Sequence, residues 1–293
     1  MWILLAIFSA VSLGVYDIFK KLSLRDNNVP LVLFLNTVFC TVFMLPVLFT
    51  TVANGQLGPD GTVTGNLHIL LKSVIVLTSW TLGYYSIKHL PLTIAGPINA
   101  ARPVIVLVGA LLIFGERLNA LQWGGVTLGF FSLFFISRVG VSEGFSFRHS
   151  LWLWMAIGAT TMGAVSALYD KFLMTMYEPL QVQSWYSLYQ CVIMGATAMV
   201  INGLTPAERR TRLTWRWSIL FISVFLTAAD LAYFYALSLP DSMIAIVSML
   251  RRGAVIVSFI YGAIALHEKH IKLKMIDLTV LLIGLILLVL GSQ

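Results

Sequence analysis

Hydrophobic residues occur along this chain in long blocks that short polar segments separate. The blocks are close to the roughly 20 residues that a helix needs to cross a bilayer, and they are too long and too evenly apolar for the alternating strands of a transmembrane barrel. The pattern therefore predicts an all-α polytopic membrane protein. The ten predicted helices cover about residues 2–20, 29–52, 67–87, 91–114, 119–138, 150–175, 181–203, 215–237, 242–266 and 273–292.

Composition agrees with the pattern. Of the 293 residues, 59% are hydrophobic and 11% are charged, and the mean hydropathy is +0.90. The net charge of +7 comes from basic residues that lie mainly in the predicted loops, so we attribute it to membrane topology and expect no nucleic-acid partner. The first 19 residues have no basic segment and no small-residue cleavage site, which favours a retained first helix over a signal peptide.

Two sequence matches indicate an internal duplication. The stretch YYSIKHLP recurs as YFYALSLP, and Tyr16-Asp17 recurs as Tyr169-Asp170. Each copy holds five predicted helices, an odd number, so the second copy must enter the membrane in the opposite orientation. The sequence thus predicts two inverted five-helix repeats, with a shared site near the membrane midplane and an alternating-access mechanism. The predicted repeats are residues 1–149 and 150–293.

These features together resemble the drug/metabolite transporter (DMT) superfamily, in particular its EamA-type ten-helix members. The resemblance rests on two aromatic-to-Leu-Pro turns, on two acidic motifs at the ends of helices four and nine, and on a lysine at the ends of helices one and six. It implies a metabolite carrier and a multi-pass protein of the bacterial inner (plasma) membrane. The residues that carry it are Tyr84 to Pro91, Tyr233 to Pro240, Pro103 to Gly115-Glu116, Glu268, Lys20 and Lys171.

The segment SMLRRGAVIV places Arg251 and Arg252 inside an apolar run. An arginine at the centre of a membrane helix costs about 2.5–3.5 kcal/mol on insertion scales unless it faces water, protein or an anion. Adjacent helical side chains point about 100° apart, so the two guanidinium groups cannot share one direction. We expect one to face a cavity and the other to face a carboxylate, with Asp230 in the eighth predicted helix as the candidate partner.

Basic side chains outnumber the acidic ones near the predicted cavity. Because guanidinium groups bind phosphate and carboxylate in bidentate fashion, we expect a small anionic substrate, a phosphorylated or carboxylated metabolite. Snorkelling is the alternative explanation for Lys20, Lys21 and Lys171, and helix packing or the interfacial belt is the alternative for the aromatic residues. The candidate substrate-binding residues are Arg251, Arg252, Arg102, Lys20, Tyr84, Tyr233, Trp80, Asn99, Tyr16 and Tyr169.

Acidic residues in the predicted helices are candidates for ion pairing or for coupling transport to a proton. The candidates are Asp17, Asp170 and Asp230, with Lys171 as a pairing partner. The sequence contains no catalytic motif and no ATP-binding loop, so we expect no enzyme activity, no cofactor and no metal. Energy would then come from a coupling ion, such as a proton, or from a counter-substrate, and the carrier would act as a monomer or homodimer.

Two other functions stay open from the sequence. One is an exporter of amino acids or drugs in which the arginines are structural, and the other is a lipid-phosphate flippase subunit or a membrane enzyme. Orientation is also open. Loops after odd-numbered helices carry most of the basic residues, which predicts both termini outside, whereas EamA-type relatives are drawn with both termini in the cytoplasm.

Overall fold

The structure is a computed structural model that describes residues 1–24, 27, 29–89, 98, 102–138, 151–204, 214–254, 256–257 and 271–291. Over these residues the chain is all-helical, and one helix lies in each of the ten predicted segments. The helices are α1 (Trp2–Leu24), α2 (Val29–Ala53), α3 (Val63–His89), α4 (Arg102–Ile113), α5 (Ala120–Arg138), α6 (Leu151–Met174), α7 (Pro179–Leu204), α8 (Trp217–Ser238), α9 (Ile244–Arg251) and α10 (Ile271–Gly291).

Five of the described helices are long and apolar enough to cross a membrane. They are α1, α2, α3, α6 and α8, with spans of 19 to 24 residues. A helix suits this environment because it satisfies its own backbone hydrogen bonds where no water is present. The chain is therefore a polytopic helical membrane protein.

The ninth helix differs from the prediction. We predicted one continuous span over residues 242–266, but α9 ends at Arg251, and Arg252 and Gly253 form a turn. The backbone N–H of Gly253 donates to the carbonyl of Leu250 at 2.8 Å. This hydrogen bond spans three residues, as in a 3₁₀ turn, instead of the four that an α-helix has. Glycine has low helix propensity, which explains why the regular helix stops here.

The chain divides into two compact units. Unit 1 comprises Met1–Ser73 and Leu173–Ser238, and unit 2 comprises Val74–Phe172 and Leu239–Gln293. Each unit combines residues from both halves of the sequence, and Val74–Phe172 of unit 2 runs across the boundary between them. The two units are therefore a different division of the chain from the two predicted repeats. The repeat boundary near residue 150 stays a prediction.

In unit 1, polar groups on the packed helices bond across the interfaces. Ser9 on α1 donates to the carbonyl of Ala229 on α8 at 2.7 Å, and Thr41 on α2 donates to the carbonyl of Ser187 on α7 at 2.9 Å. Small polar residues suit such contacts because they let helices approach closely and leave no hydroxyl unbonded in an apolar medium.

In unit 2, α5 packs on α10 along a seam of glycines. A Cβ added to Gly125 would lie 2.6 Å from the carbonyl oxygen of Gly284, and one added to Gly284 would lie 2.9 Å from the carbonyl oxygen of Gly125. The two backbones thus approach too closely for any larger residue at these positions. Van der Waals contact of this kind drives helix association in membranes.

Candidate functional site

The N-terminal end of α9 is held by a glutamate from the segment after α4. Gly115 adopts the left-handed conformation (φ 62°), which only glycine adopts at little cost, and it turns the chain after α4. Glu116 then accepts hydrogen bonds from the backbone N–H of Ile244 at 2.6 Å and of Ala245 at 3.1 Å. Because the N-cap residue, Met243, has no capping side chain, Glu116 supplies the cap from another element.

A lysine from α6 holds the residue just before α9. The ammonium of Lys171 donates to the carbonyl oxygen of Ser242 at 2.7 Å and to its hydroxyl at 2.6 Å. Lys171 also interacts electrostatically with Glu116. Both charged groups therefore fix the start of α9. The ammonium of Lys171 does so by hydrogen bonding to Ser242.

Burial shifts the protonation of the anchoring glutamate. It raises the pKa of the Glu116 carboxyl above its ordinary value of 4.5, while the two backbone N–H groups and Lys171 act in the opposite direction. The desolvation of the carboxylate is the larger effect.

The opposite end of α9 carries the two arginines. Arg251 is its last residue and Arg252 is the C-cap, and both side chains are half-buried. The carbonyl end of a helix carries partial negative charge, which favours a cation there.

Arg102, the first residue of α4, lies in the same unit as this arginine pair. The positive charge of Arg251 acts on its guanidinium, and the Arg102 Nε atom is buried with no hydrogen-bond partner. The guanidinium packs directly against α6, since a Cβ added to Gly163 would lie 2.5 Å from Cζ of Arg102. Arg102 and Arg251, two of the predicted anion ligands, thus lie in one unit and within electrostatic range of each other.

Three further candidates lie in unit 2. Asp170 on α6 is buried, at 6% exposed, and it lies seven residues after Gly163, so both share one face of the helix. Tyr169 stacks on Phe172 with ring centroids 5.7 Å apart, and Trp80 on α3 is half-buried. Asp170 is therefore the buried carboxylate on the α6 face that Arg102 contacts.

The remaining described candidates lie in unit 1. Tyr16 is buried, and the ammonium of Lys20 lies 5.4 Å from its ring centroid. Asp17 is exposed and Asp230 is half-buried, while Tyr233 is buried beside Phe234. A cation over an aromatic ring is an alternative to snorkelling for Lys20.

Two candidates and one predicted pair stay untested. Asn99 and the side chain of Tyr84 lie outside the residues that the structure describes. Asp230 belongs to unit 1 and Arg251 to unit 2, and their pairing remains a prediction.

The sequence interpretation missed Lys72 of α3. This lysine lies inside the span Val63–Gly83 and is 2% exposed, with its ammonium 4.3 Å from the ring centroid of Tyr186 and 4.7 Å from that of Phe234. A charged residue within the predicted third helix was the available signal. Glu116 was noticed only as part of a repeated motif, because its capping role depends on a contact 128 residues away.

Comparisons with known proteins agree with this architecture. No curated protein matches the sequence. Among 29 solved chains of similar fold, one crystal structure of a protein has a TM-score of 0.75, covers 99% of this chain and 97% of its own, and is 12% identical. At this identity the likeness shows the fold alone.

The family model of the EamA-like transporter family matches residues 1–138. The proteins of this family are transporters rather than enzymes. Residues 1–138, just under half of the chain, are therefore similar to this family of transporters, which belongs to the drug/metabolite transporter superfamily.

Proposed function

We propose that this protein is a secondary transporter that carries a small organic anion, phosphorylated or carboxylated, by alternating access. Arg102 and Arg251 are the proposed anion ligands, and Arg252 is a third cation at the same end of α9. One observation carries the proposal. The buried Nε of Arg102 has no hydrogen-bond partner, while its guanidinium stands within electrostatic reach of Arg251.

Two neighbouring positive charges repel each other, and the repulsion is strong where water is scarce. A buried N–H without an acceptor costs about 1–3 kcal/mol in addition. An anion between the two guanidinium groups would remove both penalties, since each group offers a planar fork of donors that matches carboxylate and phosphate oxygens. The site is therefore chemically suited to an anion.

Asp170 supports a cycle in which an internal carboxylate replaces the substrate. It is buried, and it lies on the α6 face that Arg102 contacts. When the substrate leaves, a carboxylate on this face can attract the arginines and limit the cost of the empty site. Asp170 is therefore the proposed pairing group in unit 2.

The interruption after Arg251 supports the same site. Transporters commonly bind substrate where a membrane helix is broken, because the free helix ends offer charge and hydrogen-bonding groups. In this protein the break begins at Arg252, directly after Arg251, and two charged side chains fix the other end of α9.

The wider organisation follows from this proposal. All ten helices would cross the membrane as two inverted five-helix repeats, in the bacterial inner membrane. Transport would be driven by a proton gradient or by exchange for a counter-substrate, and a monomer or homodimer would suffice because the duplication can enclose its own path.

Transport into proteoliposomes tests the proposal. Anions that stabilise the purified protein against heat would first be identified among phosphorylated metabolites and carboxylates, since ligands of the folded state raise its melting temperature. We expect saturable uptake of such an anion, accelerated by the same anion inside the vesicle. Arg102→Gln should lower the affinity at least tenfold, whereas Arg117→Gln, which neutralises an exposed arginine of the α4–α5 segment, should not.

Three results would contradict the anion carrier. Uptake of amino acids or lipophilic cations that is unchanged in Arg102→Gln would indicate an exporter with structural arginines. Lipid translocation without a soluble substrate would indicate a flippase, and release of a chemical product would indicate an enzyme.

A further inference from the structure

A charged residue in unit 1 takes no part in the proposed arginine site. Lys72 lies in the middle of an apolar helix, is almost completely buried, and has its ammonium between the rings of Tyr186 on α7 and Phe234 on α8. These two rings meet edge to face, with centroids 6.5 Å apart. An ionisable residue inside a membrane span is costly, so its presence usually indicates a functional site.

Two glutamines flank the aromatic contact of Lys72 on α7. Gln183 lies three residues before Tyr186 and Gln190 four residues after it, so all three side chains share one face of the helix. Gln183 is 2% exposed and Gln190 is 5% exposed. The Oε1 atom of Gln183 and the Nε2 atom of Gln190 have no hydrogen-bond partner. Two buried amide atoms are thus left unbonded on the face that meets Lys72.

Polar side chains that precede Lys72 on α3 also join this helix to the α7 region. The hydroxyl of Tyr189 donates to Oδ1 of Asn66 at 2.8 Å, and Nδ1 of His68 lies 2.9 Å from the hydroxyl of Tyr177. Lys72, one helical turn after His68, therefore continues a layer of polar contacts between α3 and the α7 region. In the hydrocarbon region such a layer is tolerated where it lines a cavity or binds a polar partner.

We propose that Lys72, Gln183 and Gln190 form a second binding site, for a monocarboxylate with an aromatic or aliphatic body. The ammonium of Lys72 and the amide N–H of Gln190 would donate to the carboxylate. The amide oxygen of Gln183 would accept from a hydroxyl or amine of the ligand where one is present. The rings of Tyr186 and Phe234 would pack against its apolar part.

The charge of the cluster determines the ligand class. One ammonium and neutral amides suit a single negative charge, whereas the arginines of unit 2 suit a doubly charged phosphate. The second site uses none of those arginines, so it extends beyond the proposed function. An experiment can therefore contradict either site without contradicting the other.

Equilibrium binding of radiolabelled benzoate to the full-length protein in lipid nanodiscs tests this site. We expect saturable binding that falls at least tenfold in Lys72→Met, which keeps the length of the side chain and removes its charge. Lys72→Arg should restore most of the affinity, and Gln190→Leu should weaken it several-fold. Arg117→Gln, with an exposed arginine in the other unit, should bind as the wild type does.

Several outcomes would overturn the proposal. These are no saturable benzoate binding by the wild type, undiminished binding by a folded Lys72→Met variant, or an equal loss in Arg102→Gln, which would assign the carboxylate to the arginines of unit 2. If Lys72→Met does not fold, Gln190→Leu decides, because unchanged binding in that variant means that the amides bind only water.

Discussion

Gly163 determines where the guanidinium of Arg102 can lie. Any side chain at this position on α6 would occupy the space beside Cζ, at a distance of 2.5 Å. The atom that must yield is the far end of a flexible arginine and not a piece of backbone. A substitution here should therefore move the charge without disturbing the fold.

We predict that Gly163→Ala lowers the affinity for the transported anion about tenfold, a loss of about 1.4 kcal/mol. Stability should be unchanged or slightly higher, because alanine favours a helix over glycine. The measurement is substrate binding together with the melting temperature. Gly158→Ala on the same helix is the matched control, since its added Cβ would meet only Leu82, at 3.2 Å. Equal affinity in both variants would count against a ligand role for Arg102.

The sequence made some charged residues visible and left others hidden. Arg102, Arg251 and Arg252 stand out because each interrupts an apolar block, and Lys72 could have been found by the same criterion. Glu116 could not, because a glutamate in a polar segment is ordinary until the structure places it under the N-terminus of α9. The sequence indicates where a charged side chain is energetically costly, and only the fold indicates which groups that side chain contacts.

At the scale of elements, α9 is the short helix on which the proposed anion site depends. Its eight residues include seven buried ones. Glu116 caps its first backbone N–H groups in place of its own N-cap, and Lys171 holds Ser242 just before it. The stability that α9 gains from this cap should therefore depend on the protonation of Glu116.

We predict that the stability of the wild type relative to Glu116→Gln falls as the pH rises above 4.5. The folded protein holds the proton of Glu116 to a higher pH than the unfolded chain does, so stability is lost between the ordinary and the raised pKa. Melting temperatures of both proteins from about pH 4 to pH 8 provide the measurement, over a range that includes the ordinary titration of glutamate. Parallel curves for the two proteins would show that folding does not raise the pKa of Glu116.

The glycine seam of α5 and α10 gives a second prediction at this scale. Gly125→Ala should destabilise the protein by about 1–3 kcal/mol, because its Cβ would meet backbone atoms that cannot move aside. Gly124→Ala is the control on the adjacent residue, where the nearest atom would be Cδ1 of Leu287 at 3.7 Å. Thermal unfolding in detergent measures both variants. A melting temperature for Gly125→Ala equal to that of Gly124→Ala would mean that the helices are not packed this closely.

At the scale of the whole molecule, the helices were largely predictable from the sequence and their packing was not. Apolar blocks of membrane length indicate where helices form, since backbone hydrogen bonds leave few other structures in a bilayer. The pattern does not encode which helices pack together, because lipid-facing and buried positions are equally apolar. The end of α9 at Arg251 and the two units that each combine segments from both sequence halves were accordingly not foreseen.

Charge distribution predicts an orientation that labelling can test. In a background of Cys40→Ala and Cys191→Ala, Gln56→Cys lies after α2 and Thr214→Cys lies in the basic segment before α8, and both positions are exposed. We expect a membrane-impermeant maleimide to label Gln56→Cys on intact cells, and Thr214→Cys only after the membrane is opened, because basic loops remain in the cytoplasm. The reverse pattern would place both termini in the cytoplasm.

The anchoring of α9 has a mechanical consequence. At about 1.5 Å per residue this helix is a rigid arm about 12 Å long, held at its start by Glu116 and Lys171 and carrying arginines at its tip. A tilt of about 10° at the anchor would carry the arginines about 2 Å, enough to break a hydrogen bond to a bound anion. Changes at Glu116 or Lys171 can therefore alter the affinity for a substrate that neither residue contacts.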